Sequence, residues 1–137
     1  MGDCIFCKIA KKEIPAEIVY EDKNAIAFLD INPISPGHTM IIPKYHAPNL
    51  SWLPDEYIGP LFFAVKQVAD KLQKALNPDG LSFGINQGRV TGQTIDHLHI
   101  HIAPRFVGDG GGSFHSIVHN PPKEDLKSIA NKIRSAK

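Results

Sequence analysis

The chain has 137 residues, of which 42% are hydrophobic, and a formal net charge of +1. This length predicts one domain over residues 1–137 with a sizeable core, and the near-neutral charge argues against nucleic acid or an anionic membrane as a partner. No segment approaches the roughly 18 consecutive apolar residues of a membrane span, and the first residues carry no signal-peptide pattern. We therefore expect a cytoplasmic protein.

The first part of the chain alternates short apolar segments with polar turns. A helical turn is predicted over residues 4–10, and two strands are predicted near 18–20 and 25–29. A third strand is expected over 38–42, ending at Pro43.

From residue 54 to residue 76 the apolar residues recur every three or four positions, which predicts an amphipathic helix. Pro60 lies inside this range, so the helix either begins there or is kinked. The predicted buried stripe comprises Ile58, Leu61, Phe62, Val65, Val68, Leu72 and Leu76.

Another strand is predicted over residues 81–85. A glycine-rich loop starts near residue 108, and a final helix is predicted over residues 122–135. Three apolar residues of this last helix are expected to face inward, namely Leu126, Ile129 and Ile133. Strands joined by short turns, then a helix, then strands and a helix predict an α+β fold with an antiparallel sheet.

Between the last two elements, histidines occupy alternate positions in His97-Leu98-His99-Ile100-His101-Ile102-Ala103. If this segment forms one strand, its apolar residues face a core and its three imidazoles line up on the opposite face. The outer two histidines would lie about 13 Å apart, long enough to line a bound phosphate chain. The alternative is a half-buried strand whose solvent face happens to carry histidine, although strand surfaces favour other residues.

The histidine segment resembles the histidine-triad (HIT) motif, in which three histidines alternate with apolar residues. The resemblance extends over residues 3–107, in the order in which the family carries these segments. The similar segments are Cys4–Ile9, Ala27–Ile31, Pro36–His38, Ile42–Lys44 and Gly92–Thr94. It implies the HIT fold, an antiparallel five-stranded sheet with two main helices, in which residues 109–137 form a C-terminal loop and helix.

The resemblance also assigns catalytic roles. His99, the middle histidine, corresponds to the nucleophile, and His101 would hydrogen-bond the α-phosphate or the leaving-group bridge. Charge on the phosphorus oxygens needs further donors, for which Asn86, Gln93 and Thr94 are the candidates. Without the resemblance, Asn86 reads as a turn residue and the other two as loop residues.

The resemblance alone implies a nucleoside pocket. Without it, the apolar residues that would form the pocket indicate only a hydrophobic core. The expected purine walls and ribose partner are Ile5, Phe6, Ile9, Phe28, Leu29, Asp30 and Ile31. Within this set the carboxylate of Asp30 would accept from the ribose hydroxyls. Without the resemblance, Asp30 is an ordinary turn residue after a strand.

Cys4 and Cys7 have the spacing of half a zinc site, and two histidines would have to complete a tetrahedron. The spacing does not choose among the seven histidines. Bacterial and archaeal HIT proteins with this cysteine pair imply His46 and His97, and hence a structural zinc. The alternative is a pair of reduced cysteines packed in the core. His38 matches a family position for which we expect a structural role.

These features predict a HIT-type hydrolase that cleaves purine nucleoside phosphoramidates or related nucleotidyl-phosphate conjugates, releasing AMP or GMP through a nucleotidyl-histidine intermediate. Dinucleoside polyphosphate hydrolysis is the second enzyme hypothesis, and Asn86 and Asp30 argue against it because both resemble the phosphoramidase branch. A non-catalytic, zinc-stabilised nucleotide-binding module is the third. By resemblance we expect a homodimer. The segment from Gly108 onward departs from the phosphoramidase type, which leaves the preferred substrate open.

Overall fold

The computed structural model describes residues 2–137, and its centre is a five-stranded sheet. The strands are β1 (Ile18–Glu21), β2 (Ala25–Leu29), β3 (Thr39–Pro43), β4 (Gly80–Ile85) and β5 (Ile100–Arg105). The α-helices are α1 (Ile5–Ala10), α2 (Ile58–Leu76) and α3 (Leu126–Ser135). The strands pair antiparallel in the order β1-β2-β3-β5-β4, so the predicted α+β class with five antiparallel strands is confirmed.

The two faces of the central strands pack against different helices. On one face, Ala27 and Ile41 belong to the apolar cluster that includes the buried side chains of α2. On the other face, Phe28 and Met40 cluster with Phe6 of α1. Because successive strand residues point to opposite faces, strands that are covered on both sides carry continuous apolar runs.

The long helix α2 begins later than the sequence pattern suggests, because residues 55–57 form a separate 3₁₀ turn. Pro60 is the third helical residue, where its missing N–H costs no intrahelical hydrogen bond. Three members of the predicted stripe were wrong: Ile58 is 36% exposed, Phe62 is 43% exposed and Leu76 is 41% exposed. Although α2 has 19 residues, no helix within residues 2–137 is long and apolar enough to cross a membrane.

The histidine segment is not one strand, which corrects the sequence prediction. Strand β5 begins only at Ile100, so His97 and His99 precede it. Continuing the pairing of Ile41 with Ile100 would place Pro43 opposite Leu98, and proline has no N–H for the ladder. The N–H of Leu98 instead donates to the carbonyl of Ala47 at 2.7 Å.

The final helix α3 does not face a core, so the prediction that its apolar residues point inward was wrong. Leu126 is 78% exposed, Ile133 is 70% exposed, and α3 has no buried residue. Its start is set locally, because the Asp125 carboxylate accepts the N–H of Ser128 at 2.8 Å and caps the helix.

Candidate active site and metal centre

A cavity of about 400 Å³ lies between α1, the end of β2 and the start of β5. Two of the three motif histidines, His99 and His101, line it, together with Asn86 and Thr94. The predicted nucleoside residues also lie in its wall: Ile5, Phe6, Ile9, Phe28, Leu29, Asp30 and Ile31. This volume and mixture of apolar walls with a few polar groups are typical of small-molecule sites.

The ring of His99 is buried and is oriented by the backbone. Its Nδ1 lies 2.7 Å from the carbonyl oxygen of His97. A carbonyl oxygen only accepts, so Nδ1 carries the ring hydrogen, and in the neutral ring Nε2 keeps its lone pair. His99 therefore offers a nucleophilic nitrogen to a ligand.

His101 is oriented by a chain of hydrogen bonds that starts at the backbone. The N–H of Ile34 donates to Nδ1 of His38 at 3.3 Å, so a neutral His38 carries its hydrogen on Nε2. That Nε2 lies 2.9 Å from Nδ1 of His101 and donates to it. His101 then carries its own hydrogen on Nε2, where it is free to donate to a ligand.

Burial sets the charge state of His101 and His38. Burial, together with the neighbouring His99 and His38, lowers the pKa of His101 to about 4. It also lowers the pKa of His38, an effect that the nearby Asp30 carboxylate opposes. At neutral pH the donor on His101 is therefore an uncharged N–H.

His38 has a more direct place in the site than the structural role expected from sequence. It is hydrogen-bonded to His101, and its Nε2 lies 3.5 Å from a carboxylate oxygen of Asp30. The antiparallel pairing of Met40 with His101 brings the two histidines together across β3 and β5. No local sequence signal gives this register, so only the sheet reveals the contact.

The three predicted polar donors occupy different positions. Asn86 and Thr94 line the cavity, whereas Gln93 is buried outside its wall. The Gln93 amide nitrogen donates to the carbonyls of Pro48 and Ile95, and its oxygen accepts the N–H of Gly88. The expectation that Gln93 donates to phosphorus oxygens is corrected, because both amide hydrogens of its side chain already bond to backbone carbonyls of the surrounding loops.

Further residues line the cavity that the sequence analysis did not assign to the site. The wall is extended by Ile14, Pro15, Ala16, Asn32, Met40, Gly92 and Ile95. Of these, Gly92 has a φ of +102°, and a Cβ added at Gly92 would lie 3.8 Å from Nδ2 of Asn86. A left-handed backbone at this point favours glycine and lets the loop return towards the cavity.

His97, the first histidine of the motif, points away from the cavity towards two cysteines and His46. Nδ1 of His97 lies 3.4 Å from Cys4 Sγ, 3.5 Å from Cys7 Sγ and 3.2 Å from Nδ1 of His46. Nδ1 of His46 in turn lies 3.2 Å from Cys7 Sγ. The expectation that three aligned imidazoles line a phosphate chain is therefore corrected, because His97 is turned towards the cysteines.

These four residues fit a tetrahedral metal ion. Zinc–nitrogen and zinc–sulfur bonds of ordinary length give edges of about 3.3 Å between two nitrogens and about 3.6 Å between nitrogen and sulfur. The ligand atoms all lie within 4.8 Å of one another, and the four distances given above lie within about 0.4 Å of those edges. Nε2 of His97 lies 2.8 Å from the carbonyl of Pro43, which fixes its hydrogen there and frees Nδ1 to bind.

Burial shifts the pKa values of two of the possible ligands, His97 and Cys7. Burial lowers the pKa of His97 to about 4, so the ring is neutral, as a metal ligand must be. Burial and the neighbouring Cys4 thiol raise the pKa of Cys7 to about 11, so metal binding there must release a proton.

The chain matches the HIT domain family over residues 11–108. It is 40% identical to an adenosine 5'-monophosphoramidase of Candida albicans, with 95% of each chain covered. The crystal structure of a HIT family member from Bacillus subtilis has 38% identity and a TM-score of 0.85, with 96% of this chain and 95% of that chain covered. A zinc-bound histidine triad protein from Mycobacterium smegmatis has 33% identity and a TM-score of 0.75, with 99% of each chain covered.

The fold that carries this cavity is thus shared with solved structures of histidine-triad proteins. The chain belongs to the HIT family and is a hydrolase of that family.

Proposed function

We propose that this protein hydrolyses purine nucleoside phosphoramidates or related nucleotidyl-phosphate conjugates, releasing AMP or GMP through a nucleotidyl intermediate on His99. The observation that carries the proposal is the hydrogen bond from Nδ1 of His99 to the carbonyl of His97, which leaves Nε2 as the nucleophile. The similarity to a monophosphoramidase of Candida albicans favours the same substrate class.

The proposed reaction has two steps. Nε2 of His99 attacks the α-phosphorus and forms a P–N bond, while the bond from phosphorus to the leaving nitrogen breaks. The leaving nitrogen takes a proton from solvent, and the N–H of His101 is the donor that stabilises it or a phosphorus oxygen. Water then attacks the phosphorus, the bond to His99 breaks, and the second step returns the proton that the first consumed.

The apolar walls suit a purine, and the mouth of the cavity suits a ribose. Phe6, Ile9 and Phe28 are buried around the cavity and offer flat or branched apolar surface to a base. One oxygen of Asp30 accepts the N–H of Asn32 at 2.8 Å, which holds the carboxylate at the cavity edge. Its remaining lone pairs are available to the ribose hydroxyls.

A substrate panel tests the proposal. We expect wild-type protein to release AMP from adenosine phosphoramidate faster than from diadenosine polyphosphates. His99→Ala should lose at least about a thousandfold in kcat, because the covalent route is removed. His119→Ala, at an exposed position, is the matched control. Unchanged AMP release by His99→Ala would refute the catalytic assignment, and preference for the polyphosphates would favour the second enzyme hypothesis.

We also propose that Cys4, Cys7, His46 and His97 hold a structural zinc ion. The donor set, the distances and the similarity to a zinc-bound relative support this. With four protein ligands, zinc would supply a cross-link between α1 and the histidine segment. Elemental analysis of protein purified without chelator should give about one zinc per chain, and Cys7→Ser should lose it. Less than about a tenth of an equivalent in wild type would refute the assignment.

Finally, we propose that the protein is a homodimer that pairs through α2 and the sheet edge at β4. Phe63 on α2 and Phe83 on the edge strand β4 are both more than half exposed, which is unusual for large apolar side chains. Sedimentation should show a dimer for wild type, a monomer for Phe63→Glu, and a dimer for the control Lys127→Glu, an exposed position on α3 outside the proposed interface. A wild-type monomer would refute the proposal.

A further inference from the structure

The candidate metal site and the cavity share a wall, helix α1. Cys4 is the N-cap of α1 and Cys7 is its third residue, so two of the four possible ligands lie at the start of this helix. The next side chains along the same helix, Ile5, Phe6 and Ile9, line the cavity. A helix of six residues has little stability of its own and depends on what it contacts.

Phe6 connects the two sites directly. Its ring packs edge-on against His99 with a centroid distance of 5.1 Å, and against His97 with a centroid distance of 6.0 Å. Phe6 is buried, and it also packs edge-on against Phe28 at 5.4 Å. A movement of α1 would therefore shift a side chain that contacts both the nucleophile and a cavity wall.

His97 makes a second connection, through its backbone. Its side chain belongs to the metal cluster, while its carbonyl oxygen accepts the hydrogen bond that orients His99. The side chain is fixed at Nε2 by the carbonyl of Pro43, so a ligand bond at Nδ1 would complete the restraint on this residue. One residue thus joins the cluster and the nucleophile.

We infer that the cluster of Cys4, Cys7, His46 and His97 positions the nucleotide cavity, so that metal binding and nucleotide binding strengthen each other through Phe6 and the carbonyl of His97. The inference deepens the proposed function and rests on it, because it takes the cavity to be the nucleotide site. Phe6 and His97 act as positioning residues here. Linkage requires the effect to be reciprocal, so nucleotide must raise metal affinity by the same factor.

The metal-free protein is expected to stay folded, which makes the inference measurable. Phe6 and Ile9 also hold α1 through an apolar cluster that contains Ile26, Phe28, Met40 and Ile42. Chelation should therefore loosen α1 without unfolding the sheet, and far-UV circular dichroism checks this.

The experiment measures AMP binding by calorimetry to zinc-loaded and chelator-treated protein. We expect zinc removal to weaken AMP binding about tenfold, and AMP to tighten zinc binding by the same factor in a chelator competition. Phe6→Leu, which keeps all four ligands, should bind zinc and yet bring the ratio of the two AMP affinities well below ten, because only the connection through the carbonyl of His97 remains. Lys8→Ala is the matched control on the same helix, outside the cavity wall and the ligand set, and it should keep the tenfold ratio.

Nitrogen-15 spectra of the imidazoles give a readout that does not depend on AMP. The Nδ1–H of His99 should be protected from exchange in zinc-loaded protein and exchange at least about tenfold faster after chelation. Equal AMP affinity with and without zinc in folded protein would overturn the inference and leave the proposed function standing. A wild-type protein that binds AMP in neither state would refute the proposed function and the inference together.

Discussion

The hydrogen bond between His38 and His101 allows a quantitative test of how the site is oriented. Replacing His38 with leucine removes the donor that holds Nδ1 of His101 as an acceptor, at 2.9 Å in the structure. The buried nitrogen would lose its partner at a cost of about 1–3 kcal/mol, and the ring would be free to carry its hydrogen on the wrong nitrogen. If this cost falls on the transition state, kcat drops about 5- to 150-fold.

The assay is AMP release from adenosine phosphoramidate, with kcat and KM determined separately. We expect kcat to fall and KM to change little in His38→Leu, because His38 is not among the residues that line the cavity. His38→Gln keeps a side-chain N–H and should recover part of kcat. Equal losses in the leucine and glutamine variants, with both folded by circular dichroism, would show that the hydrogen bond does not orient His101.

Three further outcomes test other parts of the site. Asp30→Ala should raise KM about tenfold for a ribonucleotide substrate and much less for its 2',3'-dideoxy analogue, since only the former has hydroxyls to donate. Chelator should lower Tm, and added zinc should restore it, as follows for a ligand that binds the folded state. In chelated protein, unfolding free energy should fall as pH drops from about 6.5 towards 4, by up to about 1.4 kcal/mol per pH unit for each of His97 and His101. A flat urea-denaturation series over that pH range would contradict the last expectation.

The sign of the pH effect follows from the direction of the pKa shifts. In the folded protein the pKa values of His97 and His101 lie near 4, below the ordinary histidine value. Below pH 6.5 the unfolded chain therefore binds more protons than the folded one, and acid favours unfolding. Above pH 6.5 both states are neutral at these residues and the effect disappears. Substituting the exposed His119 with glutamine should leave the slope unchanged.

Local pattern was enough to predict most elements of the fold. The strand over 25–29 and the end of α2 at Leu76 lie where apolar periodicity and turn residues placed them. Periodicity failed where a helix has an apolar stripe but no covering layer, as in α3, because amphipathicity predicts which residues share a face and not what covers that face. It failed also at His97, because a proline in the neighbouring strand stops the ladder.

The sequence by itself determined which chemical groups this protein has: alternating histidines, a spaced cysteine pair and apolar residues that resemble a known nucleotide pocket. The resemblance implied His97 as a partner of the cysteines, but the spacing of the residues did not, and only the tertiary structure brings His97 to the cysteines and His99 and His101 to the cavity. It also brought His38 to His101 across the sheet. The physical reason is that residue spacing fixes the face of a strand, whereas ligand sets and hydrogen-bond chains depend on register and packing between segments distant in sequence.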